Sequence, residues 1–304
     1  MSSGKNLQFG AMLMNFLFLS EIVVKEVLAF PIILLKRFVF WRYLRYQIPK
    51  NRRPVSDSYR FYYCVHEWLG YDNKRVKNIK NTQPYDVGFS IHEDFIKTGQ
   101  LSDKNITSIL SLSGEGRLPS ASGYFDQVLT SNNYKQDFSG HLMCADFIGK
   151  DSDSEAIVLF SNTSLGCIEA EFVLECFSIY ESDTEIGILG ISSSAKKHQT
   201  IVPISYSPHV QTFFFVVSNR IFTQFIESKK NFSFPVSSSK YNLIREWEIA
   251  LSDFVLRQGL SIAVLECNGK VSKYHYSEEL SGTWEYGDMR AKVKHPASAC
   301  FEKS

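Results

Sequence analysis

Ala156-Ile157-Val158-Leu159-Phe160-Ser161-Asn162-Thr163-Ser164-Leu165-Gly166 is the stretch that decides the fold. Five apolar residues run without a break into amides and hydroxyls. A short continuous apolar run bounded by polar, turn-forming residues is the mark of a strand buried on both faces, as in a parallel sheet. Working outward, further apolar runs recur with helix-like segments between them. Phe61–His66, Tyr85–Ile91, Ile106–Leu112, Ile186–Ile191 and Thr212–Val217 read as strands. Asn73–Asn81, Ser120–Thr130, Glu169–Ser178 and Leu243–Gln258 read as helices, the last stopped by Gly259. Strands alternating with helices at this spacing predict an α/β layer structure with a mostly parallel sheet flanked by helices.

In such a sheet the ligand lies beyond the carboxyl ends of the strands. The residues that follow each strand are therefore the candidates for function. His66 and Glu67 follow the first, His92, Glu93 and Asp94 the second, Ser113-Gly114-Glu115-Gly116-Arg117 the third, and Asn162-Thr163-Ser164 the fourth. This rim suits a polar, phosphorylated ligand. Glycines at 114 and 116 allow close backbone approach, and Arg117 can grip a phosphate in two places; a solvated surface turn is the alternative. Asn162 and Ser164 are poor ligands for Mg²⁺ or Mn²⁺ and equally suit a helix cap. There is neither a P-loop nor a dinucleotide-binding glycine fingerprint.

The chain has 304 residues, 44% of them hydrophobic and 21% charged, which excludes a disordered chain and a coiled coil. The net charge is +1, so no nucleic acid is expected as a partner. That charge is unevenly spread. Residues 1–57 carry nine Lys/Arg and three acids, and from Val27 to Ser56 there are seven basic residues and no acid, interleaved with Phe38, Phe40, Trp41, Tyr43 and Tyr46. Basic and aromatic residues on an amphipathic helical segment suit the surface of an anionic leaflet; packing on the body is the alternative. The uncharged run Asn6–Ser20 is too short to span a bilayer, which takes about 20 residues. No secretory cleavage pattern follows a basic start. Cys64, Cys144, Cys167, Cys176, Cys267 and Cys300 are scattered, without ligand spacing, as in a reduced cytoplasmic protein. Pro49–Asp57 reads as a polar hinge. It divides a membrane-surface segment, 1–57, from a body at 58–304.

Several short pieces, in order, resemble the rhamnan synthesis F-type glycosyltransferases of bacterial capsule and lipopolysaccharide assembly. They are Tyr63-Cys64-Val65-His66 with Tyr71-Asp72, Tyr85-Asp86-Val87-Gly88-Phe89-Ser90, Gly114-Glu115-Gly116-Arg117, Ile157–Phe160 with Asn162–Gly166, Ile188-Leu189-Gly190-Ile191, His209-Val210-Gln211-Thr212-Phe213-Phe214, and Glu248-Ile249-Ala250-Leu251-Ser252 with Gly259. The resemblance covers roughly residues 60–265. It implies a GT-A-like, Rossmann-related fold and a hexosyl transfer from a nucleotide-sugar to a lipid-linked or polysaccharide acceptor. The site of action would be the cytoplasmic face of the inner membrane, with the protein peripheral to it. It also implies roles. His66 would floor the nucleotide pocket, and Glu115 or Arg117 would face the base or diphosphate. Asn162 and Ser164 would occupy the place of the family's metal motif, and His209 and Gln211 would meet the sugars. Glu248, or else Glu246, would be the catalytic base; a helix-end charge is the alternative. Because the acids of the metal motif are missing, no divalent metal is expected, and the nucleotide-sugar is the one cofactor-like ligand implied. The same missing acids leave a rival reading, a non-catalytic membrane-associated scaffold with a degenerate transferase fold.

Overall fold

The computed structural model describes residues 43–278, apart from 57, 71, 73, 78–84, 100, 102–104, 115–122, 133–134, 136, 152–154, 164, 166–167, 169, 195–207, 231–242 and 267–268; before residue 43 it describes Ser20, Leu35 and Val39. Apart from Ser20, Leu35 and Val39, residues 1–42 of the membrane-surface segment therefore lie outside the described residues, as do Glu115, Arg117 and Ser164.

The centre is an eight-stranded sheet. Its strands are β1 (Arg60–Trp68), β4 (Ile106–Ser113), β5 (Gln127–Ser131), β6 (Ala156–Asn162), β7 (Ile186–Gly190), β10 (Phe214–Ser218), β11 (Ser261–Leu265) and β12 (Val271–Tyr274), ordered β12-β11-β7-β10-β6-β1-β4-β5. Two small hairpins stand beside it: β2 (Arg75–Lys77) with β3 (Tyr85–Val87), and β8 (Ser193–Ser194) with β9 (His209–Val210). Six of the eight strands share one direction; β10 and β12 run against them. The mostly parallel α/β sheet expected from the sequence is therefore present, with an antiparallel β10 inserted between β6 and β7.

Helices cover both faces, and their apolar stripes explain which face each takes. On one side lie α2 (Asp137–Asp151), α4 (Asn219–Lys230), a π turn (Ile244–Ile249) and the α5 helix that continues it (Ala250–Arg257). Phe138, Ile148, Phe222, Phe225, Trp247, Leu251 and Val255 bury there against Tyr62, Cys64, Phe160 and Phe215. On the other side lie α1 (Phe89–Lys97) and α3 (Ala170–Ser182), with Phe89, Phe95, Phe172 and Tyr180 against Tyr63, Val65, Leu159 and Val216. β6 is buried along its whole length, as its continuous apolar run requires. Cys64, Cys144 and Cys176 are buried free thiols, and no helix among the described residues is long and apolar enough to cross a membrane.

Three local expectations are corrected. Arg75–Lys77, read as part of a helix, is a strand because it pairs with Tyr85–Val87, so tertiary pairing overrides the helix preference of lysine. The strand at Tyr85 ends at Val87, and α1 begins at Phe89; Phe89, His92, Phe95 and Ile96 are buried at helical spacing. Gln127–Thr130, read as the end of a helix, belongs to the edge strand Gln127–Ser131 beside β4. Within Pro49–Asp57, read as a polar hinge, the backbone is bonded to the body. Asn51 N–H donates to the Gly259 carbonyl at 2.7 Å and Arg53 N–H to Thr184 at 2.7 Å, which docks this stretch on the body.

Candidate functional site

The chain winds from β1 outward through β4 to β5, then returns through α2 to β6 on the other side of β1. The carboxyl ends of β1 and β6 therefore flank the point where the winding reverses, the usual ligand crevice of an open α/β sheet. Register sets His66 of β1 directly beside Asn162 of β6 and Ser111 of β4.

Strand alternation sends His66 toward α2 and Glu67 to the opposite face. His66 lies so close to the first turn of α2 that a Cβ at Gly140 would stand 2.1 Å from its Nδ1. Nδ1 faces the Ser111 carbonyl at 3.1 Å, so that nitrogen carries the proton; Nε2 then accepts from the Ser113 hydroxyl at 3.3 Å. Burial lowers the pKa of His66, against the opposing pull of Asp137 and the Ser111 carbonyl. The ring is a neutral, fixed floor.

A second chain of bonds closes the crevice. The Tyr63 hydroxyl bonds His92 Nδ1 at 2.9 Å, and His92 Nε2 donates to the Asn162 carbonyl at 3.1 Å. The Asn162 amide in turn donates to Asp137 Oδ2, in the first turn of α2, at 2.7 Å. Burial pushes His92 down to about 3, so it too is neutral. Next to Asn162, Thr163 accepts Arg75 Nη2 on its carbonyl at 3.0 Å and on its hydroxyl at 2.8 Å, which ties the β2–β3 hairpin to the end of β6. Glu67 is buried beside them. Burial pushes its carboxyl up to about 7; the Thr163 hydroxyl and the Arg75 cation pull it down, and Asp137 adds to the rise.

The rim continues past β6 toward Glu248. The Phe213 carbonyl accepts the Asn162 N–H at 3.0 Å, and the neighbouring Thr212 gives both its N–H (2.8 Å) and its hydroxyl (3.0 Å) to Glu248 Oε2. Glu248 Oε1 lies 3.6 Å from His209 Nε2. Gln211 accepts the Ser192 hydroxyl at 2.6 Å. Glu248 belongs to the π turn, a local widening of the helix that recurs at functional sites. Glu246 points elsewhere, its carboxylate 3.4 Å from Lys229 on α4.

Of the residues singled out in the sequence, His66 and Asn162 are neighbours in the crevice, and His209, Gln211 and Glu248 line the same end of the sheet. Glu246 faces α4, while Glu115, Arg117 and Ser164 lie outside the described residues. Gly114 is described: its Cβ position falls 2.7 Å from the Trp68 indole nitrogen, so the missing side chain makes room for Trp68. Arg75 and Asp137 went unnoticed in the sequence, and Glu67 was seen only as a polar residue after β1. The oxygens at the end of β6 do not suit a divalent cation, because both Thr163 oxygens face the Arg75 guanidinium and the Asn162 amide presents a donor to Asp137. Among the described residues, no three His, Cys, Asp or Glu side chains are disposed to hold a metal ion.

No family model and no curated protein matches the chain. Among solved structures, 2-C-methyl-D-erythritol 4-phosphate cytidylyltransferase (IspD) of Francisella tularensis is similar at a TM-score of 0.40 and 8% identity, over 73% of this chain and 94% of that one. The α/β assignment rests on this chain's own strand order.

Proposed function

We propose that the chain is a glycosyltransferase that moves a sugar from a nucleotide-sugar onto a bacterial surface glycan. The observation that carries this reading is Arg75 on Thr163, a guanidinium fixed at the end of β6 beside the β1–β6 crevice. A diphosphate laid there meets a preorganised positive charge, which gains in value as the leaving group takes up negative charge in the transition state. Glu248, on the same rim, is the carboxylate available as base. The acceptor hydroxyl oxygen bonds to the anomeric carbon, and the bond from that carbon to the diphosphate oxygen breaks. The diphosphate leaves with the electron pair, and the hydroxyl proton passes to Glu248. Such a displacement inverts configuration. Residues 1–57, basic and aromatic, would hold the protein on the cytoplasmic face of the inner membrane, where lipid-linked acceptors reside.

A non-catalytic scaffold is the second reading. It is favoured by the engagement of both Glu248 oxygens, one with Thr212 and the other toward His209. Incubation with a panel of nucleotide-sugars, scored for released nucleoside diphosphate, decides between them. Release that Arg75→Ala lowers at least tenfold supports the transferase. No release from any donor, with or without a polysaccharide acceptor, supports the scaffold.

A further inference from the structure

Glu67 stands apart from the other polar side chains of the crevice. His66 and His92 each have a partner on both ring nitrogens, Asn162 gives its amide to Asp137, and Thr163 takes Arg75 on both oxygens. Glu67 is 2% exposed, and neither carboxylate oxygen meets a donor at full hydrogen-bonding geometry among the described residues, although the Thr163 hydroxyl, whose oxygen holds Arg75, is near enough to pull its carboxyl down. A carboxylate offers about four acceptor positions, of which one hydroxyl fills at most one, and leaving the others empty in a buried place is costly. A fold that keeps such a group at its ligand crevice points to donors brought by the ligand.

The surroundings narrow what those donors are. Arg75 already places a positive charge within electrostatic reach of Glu67, so an ammonium or a metal cation entering there would be repelled. Neutral donors remain. Two in-plane oxygens of one carboxylate match two hydroxyls on adjacent carbons. Resting on the nucleotide-sugar reading above, we propose that Glu67 accepts hydrogen bonds from a vicinal diol of a sugar ring, either the ribose of the nucleotide or the transferred hexose.

The test is calorimetric binding to the full chain. UDP, GDP, CDP, ADP and the glucose or mannose conjugates of each identify a parent ligand. Its 2′-deoxynucleotide form and its 2-deoxyhexose conjugate are then compared on wild type and on Glu67→Gln. One deoxy probe is expected to bind wild type about tenfold or more weaker, in line with the loss of a hydrogen bond to a charged group. Glu67→Gln should bind the parent weaker by a similar factor and lose nothing further with that probe. Sensitivity to the 2′-deoxynucleotide assigns the diol to ribose; sensitivity to the 2-deoxyhexose assigns it to the transferred sugar. A parent that binds while both deoxy probes bind equally well overturns the diol contact and leaves the nucleotide-sugar reading standing. So does a Glu67→Gln loss that is the same for parent and probes. If no nucleotide in the panel binds, both readings fall. Should Glu67→Gln not fold, the wild-type comparison of parent with deoxy probes decides alone.

Discussion

Glu248 and Thr212 are joined twice, the carboxylate Oε2 taking the Thr212 backbone N–H at 2.8 Å and its hydroxyl at 3.0 Å. Since Phe213 accepts the N–H of Asn162, this joint couples the π turn to the end of β6 and fixes where the carboxylate stands. A glutamine retains an oxygen that accepts both bonds but loses the ability to take a proton. Glu248→Gln is therefore expected to leave the unfolding midpoint nearly unchanged and to lower turnover by about 10²-fold or more. Thr212→Ala, which loses only the hydroxyl bond, should cost about 1 kcal/mol of stability and far less turnover. Steady-state rates and urea unfolding of the two variants decide the matter. Unchanged turnover in Glu248→Gln would make this carboxylate a strut.

The layers of the fold were legible wherever burial was two-sided. Ile157–Phe160 is sheathed by helices on both faces, so its strand shows as an unbroken apolar run, and the same holds for Ile186–Ile191. Elements whose character comes from partners far along the chain were misread. Gln127–Ser131, at the sheet edge with Val128 exposed, lacks a core-facing pattern of its own. The Asp137–Asp151 helix escaped notice because Gly140 and Gly149 interrupt its apolar stripe; Gly140 is there because His66 occupies the space a side chain would need. For the site, His66 and Asn162 were visible as strand-end residues. Arg75 was not, since its place beside Thr163 is created by strand order and by the β2–β3 hairpin.

Glu67 makes stability depend on pH with a definite sign. Burial pushes its carboxyl up from 4.5 to about 7 on folding; the Thr163 hydroxyl and Arg75 oppose the rise and Asp137 adds to it. The folded state therefore holds the extra proton between those values. The stability Glu67 contributes is complete below pH 4.5 and lost as pH rises through 7, a difference of about 3 kcal/mol. Glu67→Gln carries no such titration. Wild type and variant should be similarly stable near pH 4.5, and the variant should be the more stable at pH 8. Urea midpoints that differ equally at both pH values would show that Glu67 is ionised throughout.

The buried histidines act in the opposite sense. His92 and His141 are both pushed down to about 3, chiefly by burial, whereas an unfolded histidine titrates near 6.5. A depressed folded pKa contributes stability that is present above 6.5 and is lost as pH falls toward 3. The protein should therefore lose stability steadily below pH 6.5, and His141→Phe, set among Phe138, Phe160 and Phe215, should flatten that loss. Unfolding midpoints at pH 7 and pH 5 measure it. An equal drop in wild type and His141→Phe would place the acid sensitivity elsewhere.

The last prediction concerns where the N-terminal segment can be cut. Asn51 donates through its backbone to Gly259 and through its side-chain amide to the Gln258 carbonyl at 3.1 Å. Gly259 has a φ of 78°, and a Cβ there would lie 2.3 Å from the Pro49 carbonyl oxygen, so this turn admits the docked segment only as glycine. Arg53 is buried, and its guanidinium gives hydrogen bonds to the carbonyls of Ile186 (2.6 Å), Asp183 (3.1 Å) and Tyr180, with the Tyr180 ring 3.8 Å below. Removing Arg53 leaves buried carbonyls without a donor, at a cost of about 3 kcal/mol or more. Deleting residues 1–42 keeps all these contacts, while deleting 1–57 removes them. The shorter deletion should unfold at the same urea concentration as the full chain, and both the longer deletion and Arg53→Ala should unfold earlier. Arg52→Ala, which loses one exposed pair with Glu185, should change little. Sedimentation with anionic vesicles then tests the anchoring role: the full chain should bind, high salt should weaken binding, and the 1–42 deletion should remain in solution. A 1–42 deletion that still sediments would locate the membrane contact on the body. These contacts cluster at the amino ends of β7 and β11, the pole opposite the crevice.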